Sequence, residues 1–277
     1  MSTRSVRYST FNRSVRKGNL ASTDRDALAF LEAAQIYNTN QQRAIVNLVR
    51  SLKRVGLWSK MKAIYPFVGG TASAHKWNLK DPRDADAAFR LTFSGGWTHS
   101  ANGADPNGTS AYADTYLANN VMGQNSLHFT YYSRESTKGL FVDIGARNNL
   151  ASPFPASFMF LQFTDDKLYG NVNQNNNAST FSAAVTDSQG LFIAIRNNST
   201  STKYIRNTTT VGIETVNSVA PSDRNFYLGA LNTDNSATLY ANRQCAFATI
   251  GDGLTDTDAT NLYNIVDLYQ KRLGRAV

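Results

Sequence analysis

The hydrophobic period of this chain changes once, near Gly56, and that change limits what it can fold into. Before Gly56 apolar residues recur at helical spacing, and after it they alternate. From Asp24, Leu28, Leu31 and Ile36 fall close to one face of a helix that ends near Asn38. Thr39 then reads as an N-cap with Gln42 completing a capping box, and Ile45, Leu48, Val49, Leu52 and Val55 form the stripe of a second helix stopped by Gly56. Its outer face carries Arg43, Arg50, Lys53 and Arg54, which a solvated surface explains.

Beyond Gly56 short alternating runs predict strands at 88–93, 127–133, 140–144, 157–163, 167–172, 180–185, 191–196, 203–206, 210–214, 226–231 and 244–250. Gly, Asn, Pro and Asp separate them. So many short strands in succession mean two stacked antiparallel sheets or a barrel. The continuous apolar runs 158–161 and 191–195 need cover on both faces, which a sandwich centre supplies. The Asn-rich run 171–177 reads as a loop, with sugar binding as an alternative role. The chain closes on a helix with Thr255 as N-cap, Asp256 and Asp258 in its first turn, and Gly274 as its stop. The expected fold is therefore mainly β, an antiparallel jelly-roll sandwich with short N-terminal helices and a C-terminal helix.

The net charge of +8 is confined to one end. Residues 1–60 hold eleven Lys and Arg against three acids, and the rest of the chain is neutral. The expected organisation is an extended basic arm over 1–22, a helical attachment region over 23–56 and a sandwich with its closing helix over 57–277. Arg4, Arg7, Arg13, Arg16 and Lys17 are the candidate anchor residues of the arm. A basic arm can meet nucleic acid, an anionic membrane or an acidic protein surface, but the neutral body argues against a dedicated nucleic-acid binder.

Several chemistries are missing. The single cysteine, Cys245, excludes an internal disulfide, and no Cys or His spacing suggests zinc. No apolar stretch is long enough to cross a bilayer, and the Arg-rich start lacks the apolar run of a signal peptide, so the chain reads as soluble and made in a cytoplasm. The three glutamates Glu32, Glu135 and Glu214 are scattered, so no paired carboxylate motif for glycoside hydrolysis is present. The adjacent Asp165 and Asp166 point to opposite faces, and no enzyme is expected. His75, His99 and His128 are dispersed, with His128 read as a hydrogen-bonded core residue. Asp252, Asp256 and Asp258 lie close enough to suggest calcium, but turn formation and helix capping account for them, so no cofactor is expected. Trp97 and His99 follow a Gly-rich turn, and of the adjacent Tyr131 and Tyr132 a regular strand turns one outward. These four are the candidate glycan contacts.

The stretch WSKMKAIYPFVGGTASAHKWNLKDPRDAD from Trp58, followed by AAFRLTFSGGWTHSANGADPNGTSAYADT, resembles a segment recurrent in structural proteins of tailed bacteriophages, including phages of Bacteroidetes and crAss-like phages. The ending IGDGLTDTDATNLYNIVDLYQKRLGR looks like the closing helix of the same group, and GLFIAIRN and FYLGALN are similar to strands of concanavalin-A-like and laminin-G-like jelly rolls. The resemblance covers 27–277 and is strongest over 57–117. It implies a virion component, a head-fibre, tail-fibre or decoration protein. Its arm would bind phage capsid or tail proteins, and its jelly roll, one of three in a homotrimer, would face host-surface glycans. No catalytic residue carries across. A carbohydrate-binding receptor-recognition module is the alternative, with a polysaccharide depolymerase disfavoured by the glutamate count.

Overall fold

The computed structural model describes residues 24–277. The expected anchor residues Arg4, Arg7, Arg13, Arg16 and Lys17 lie outside the described residues. The chain begins with α1 (Arg25–Ala33) and α2 (Thr39–Arg54), then the single turn α3 (Leu57–Lys60). The cap of α2 is Asn38 and not Thr39: its Oδ1 accepts from the N–H groups of Asn40 and Gln41 at 3.0 and 3.1 Å. Gln42 completes no box. It is buried, and its side-chain amide donates to the Ile36 carbonyl at 2.9 Å.

The strands follow as β1 (Met61–Tyr65), β2 (Thr92–Ser94), β3 (Trp97–Ser100), β4 (Gly103–Pro106), β5 (Tyr112–Ala118) and β6 (Leu127–Ser133), with the short α4 (Ala72–His75) after β1. Next come β7 (Ile144–Arg147), β8 (Pro155–Phe160), β9 (Lys167–Asn175), β10 (Phe181–Ala184), β11 (Gly190–Arg196), β12 (Ser201–Arg206) and β13 (Thr209–Thr215). The last are β14 (Asn225–Leu228), β15 (Leu231–Thr233), β16 (Ser236–Thr238) and β17 (Cys245–Gly251), before α5 (Asp256–Arg272).

They form two sheets. The first runs β13-β12-β11-β6-β17-β4-β3, with β1 also paired to β17. The second runs β10-β9-β8-β7-β14-β5-β2 and carries the β15-β16 hairpin. All pairs are antiparallel except β15 with β7. Stacked face to face, the sheets make the mainly β sandwich that the sequence predicts.

Alternation sorts the side chains into layers. Phe129, Tyr131, Phe192, Ala194 and Ile250 from the first sheet meet Ile144, Met159, Leu168, Phe226 and Leu228 from the second. The opposite face of the first sheet presents Leu191, Ile193, Ile195 and Phe247 to Phe30, Leu48, Leu52 and Leu262 of the helices. The second cover over 191–195 is therefore a helical layer. Around Phe158 it is a smaller cluster with Val142 and Leu231. The segment 24–56 shares this continuous core with the sandwich and with α5.

The Asn-rich run is a correction to the loop expectation, because Asn171 to Asn175 continue β9. Their amides are internally used: Asn173 Oδ1 accepts from Asn119 at 2.9 Å and from the Ser157 hydroxyl at 3.1 Å. A buried amide with partners inside the fold is no longer a loop residue. At the other end Thr255 and Asp258 form a reciprocal capping box, and Asp258 also pairs with Lys60 at 2.6 Å. Asp256 pairs with Lys203 at 2.7 Å. Among the described residues no group of three or more His, Cys, Asp or Glu side chains is placed to hold a metal ion.

Candidate functional site

Two grooves of about 490 Å3 open on the surface, and neither is lined by an acidic side chain. The first runs between the α1-α2 connection and the loop 69–77. Both walls are fixed by local chemistry. Helix α1 ends in a Schellman turn: Ile36 N–H donates to the Leu31 carbonyl at 3.0 Å and Gln35 N–H to Glu32 at 3.2 Å, with Gln35 in the left-handed region at φ 53°. On the facing wall Gly69 holds φ 99°, and a Cβ there would sit 2.6 Å from both Ala74 Cβ and Ile36 Cδ1. Thr71 caps α4 by accepting from Ala74 N–H at 3.2 Å. The two walls thus touch through Gly69, and the groove is preformed.

Its polar lining comes from amides and hydroxyls, among them Gln35, Asn38, Gln41, Thr71 and Ser73, and its apolar lining from Ala34, Ile36 and Ala74. Tyr37, 57% exposed, stands at the rim. Trp77 completes the site. It is only 9% exposed, and its indole N–H has no hydrogen-bond partner. A buried donor left unmade costs about 1–3 kcal/mol, and the Trp97 indole, by contrast, has an acceptor. The Lys76 ammonium lies over its ring, 4.5 Å from the centroid, and is itself paired with Asp84 at 2.8 Å.

The second groove lies between the β12-β13 turn, the end of β10 and α5, lined by Thr208, Thr209, Thr210 and Tyr263. Its stronger polar groups are already engaged. Arg206 donates to the Gln189 carbonyl at 2.9 Å and pairs with Asp187, and Asn207 Oδ1 accepts from Leu191 N–H at 2.9 Å.

The expected glycan contacts lie elsewhere. Trp97 and His99 are half-buried on β3, an edge strand, within an aromatic cluster: Phe93 meets Trp97 edge-on at 5.3 Å and His99 at 4.6 Å. The Trp97 indole N–H donates to the Tyr112 carbonyl at 3.1 Å. His99 meets His75 Nδ1 to Nδ1 at 2.9 Å, and burial first, then His99 and Arg275, lower the His75 pKa to about 3. Tyr131 and Tyr132 need correcting, since neither reaches solvent. Tyr131 packs between the sheets and donates to the Arg243 carbonyl at 2.6 Å, whereas Tyr132 lies under the helical layer and accepts from Val277 N–H at 3.0 Å. The outward face of β6 exists, but the helices cover it. His128 is fully buried between the Asp252 carbonyl at 2.6 Å and the Thr249 hydroxyl at 3.1 Å, with burial lowering its pKa to about 4.

Carboxylates with perturbed chemistry are separate from both grooves. Burial, with Glu135 second, raises Asp105 to about 6. Glu135 accepts from Gln244 N–H at 3.1 Å, and Glu214 accepts from Gln174 at 3.1 Å. Sequence reasoning missed the Trp77 groove because its walls are some forty positions apart, and only the tight Ala-Ala-Gln-Ile-Tyr-Asn run after α1 hints at one of them.

No family model matches this chain, and no curated protein matches it. Solved structures do. A structure described as HCR/D-Sa-GBL1/C shares 12% identity with a TM-score of 0.50, over 76% of this chain and 52% of that chain. Domain 4 of AbnA, a GH43 extracellular arabinanase from Geobacillus stearothermophilus, solved with arabinotriose, shares 14% identity with a TM-score of 0.48, over 74% of this chain and 98% of that chain. The CBM40 of Ruminococcus gnavus IT-sialidase shares 10% identity with a TM-score of 0.37, over 50% of this chain and 81% of that chain. At these identities the likeness shows the fold alone: this chain is a jelly-roll β-sandwich.

Proposed function

We propose that this protein is a non-catalytic carbohydrate-binding module whose ligand lies in the groove between the α1-α2 connection and the loop 69–77. The observation that carries the reading is the groove's lining: amides, hydroxyls and an exposed Tyr37 beside a buried indole, on a preformed backbone and without a carboxylate. Neutral sugars are recognised in this manner, by an aromatic ring and several uncharged hydrogen-bonding groups. A glycan array with the purified protein tests it. Saturable binding that Tyr37→Ala weakens supports the module. An array with no saccharide above background overturns it, and reducing sugar released from host capsule would revive an enzyme.

The phage-protein resemblance and the basic residues of 1–22 favour a second, compatible reading, in which the module is displayed on a virion. In it Arg4, Arg7, Arg13, Arg16 and Lys17 bind capsid or tail proteins, and repeated copies, a homotrimer included, multiply weak glycan contacts into firm host attachment. Helices α1 and α2 bury their apolar faces in the body, so this reading assigns attachment to 1–22. Deleting residues 1–20 should remove the protein from particles and leave a folded soluble body. Unchanged particle content would refute the anchor, and antibody labelling of virions would separate head from tail.

A further inference from the structure

Four strands end the two sheets, and three of them are too short to offer much to another chain. β2 has three residues, β3 and β10 have four each, and β13 has seven. Among the described residues no strand pairs with the outer edge of β13. A long open edge is a template for a further strand, and proteins that stay single blunt it with charged side chains, above all Lys, or with Pro. Thr209–Thr215 contains neither Lys nor Pro, and its one charged residue, Glu214, is committed to accepting from the Gln174 side chain at 3.1 Å. Beside it Ile213 is 61% exposed. The bulge opposite Tyr204 and Ile205 lies before Gly212 and leaves 212–215 in regular register.

The direction of the free backbone groups follows from the inner ladder. Val216 N–H donates to the Thr200 carbonyl at 2.9 Å, and the same register sets Glu214 opposite Thr202 and Ile213 opposite Lys203. Antiparallel bonding alternates, so Glu214 turns its backbone groups to β12 while Ile213 and Thr215 turn theirs outward. Those outward groups limit how a second β13 can pair across a two-fold axis. Centring the pair on Glu214 would set two carboxylates directly opposite each other, which is unfavourable. Centring it on Ile213 sets Ile213 against Ile213, Val211 against Thr215, and Glu214 against Gly212, which has no side chain to meet it. The flanking Lys203 is already paired with Asp256 at 2.7 Å. We propose that β13 pairs antiparallel with β13 of a second copy of this chain, centred on Ile213, and joins the two first sheets into one. Such a contact closes on itself, because each copy spends the same edge. The proposal does not depend on the carbohydrate-binding reading.

Sedimentation of the full chain tests it. At about 100 µM the protein should sediment as two chains. Ile213→Lys, which sets two ammonium groups together on the axis, should weaken the pair about tenfold or more. Leu268→Lys, on the exposed side of α5, should leave it unchanged, and circular dichroism with thermal unfolding shows that both variants fold. Hydrogen exchange gives a readout that needs no variant: the amides of Ile213 and Thr215 should be protected in the pair and released on dilution to single chains. Single chains at about 100 µM, or a pair that Ile213→Lys leaves intact, overturn the proposal. So does a three-chain assembly in which those two amides exchange freely. Protection of the same amides in a single chain also overturns it, because a segment of that chain would then cover the edge.

Discussion

His75 and His99 meet Nδ1 to Nδ1 at 2.9 Å, and a third contact decides which ring carries the shared proton. Gly70 N–H donates to His75 Nε2 at 3.2 Å, so the His75 proton sits on Nδ1 and is donated to His99. Both imidazoles are then held neutral, because a proton added to His99 Nδ1 would face the His75 Nδ1–H and one added to His75 Nε2 would face the Gly70 N–H. Arg275, buried and held by the carbonyls of Pro66, Phe67, Ala101 and Ala246, adds a positive charge that opposes protonation of His75.

The pH dependence of stability follows from these rings and from His128. Burial lowers His75 to about 3 and His128 to about 4, from an ordinary 6.5. The unfolded chain therefore binds more protons than the folded one below pH 6.5. Stability is full above that value and is lost as pH falls toward 4, each ring adding a slope of up to about 1.4 kcal/mol per pH unit. Urea midpoints at pH 7, 6 and 5, with imidazole titration by NMR, check this. Rings that titrate near 6.5 in the folded protein would sink it.

Arg243 and Asp143 form an ion pair at 2.6 Å with both side chains fully buried. Arg243 also donates to the carbonyls of Thr137 and Gln162 and lies 4.3 Å over the Phe141 ring. Arg243→Leu leaves the Asp143 carboxyl, already raised by burial, without its cation and should cost about 3–5 kcal/mol. Arg243→Leu combined with Asp143→Leu should recover much of that loss in denaturant unfolding, since the stranded charge is gone.

The helical layer is part of the core. Leu48→Ala, at 2% exposure between α2 and the sheet, should cost about 2–5 kcal/mol, whereas Leu268→Ala on the 47%-exposed side of α5 should stay within about 0.5 kcal/mol. Comparable effects of the two changes would mean that the helices dock without packing.

The caps make a sharper comparison. Asn38→Ala should destabilise by about 0.5–2 kcal/mol through the lost start of α2, and Thr255→Ala by a similar amount through α5. Thr39→Ala should be nearly silent, because Thr39 is the first helical residue and not the cap. Thermal unfolding of the three variants decides it.

The fold class was legible because alternation and turn residues report burial locally: 127–133 coincides with β6, and the closing helix begins at its predicted cap. Strands β3 and β4 escaped notice because each is only four residues long, and β4 and β5 are held in part by β17 and β14, far along the chain, while β3 pairs with β4 alone. Tyr132 shows a second limit. Its outward direction was readable from strand period, but whether that face meets water depends on a helix over a hundred residues later. The same limit hid the groove, since Trp77 is a site residue only through the α1-α2 connection packed beside it.

Strand β1 joins the sheet by pairing Ala63 with Ile250, so its last neighbour is laid down roughly 190 residues after it. Until β17 emerges, β1 is an unpaired apolar segment with an open edge, and the central seam of the first sheet is missing. Assembly should therefore be slow, late and sensitive to crowding by other nascent chains. Expression at reduced temperature, with chaperones to shield that edge, should raise the soluble yield.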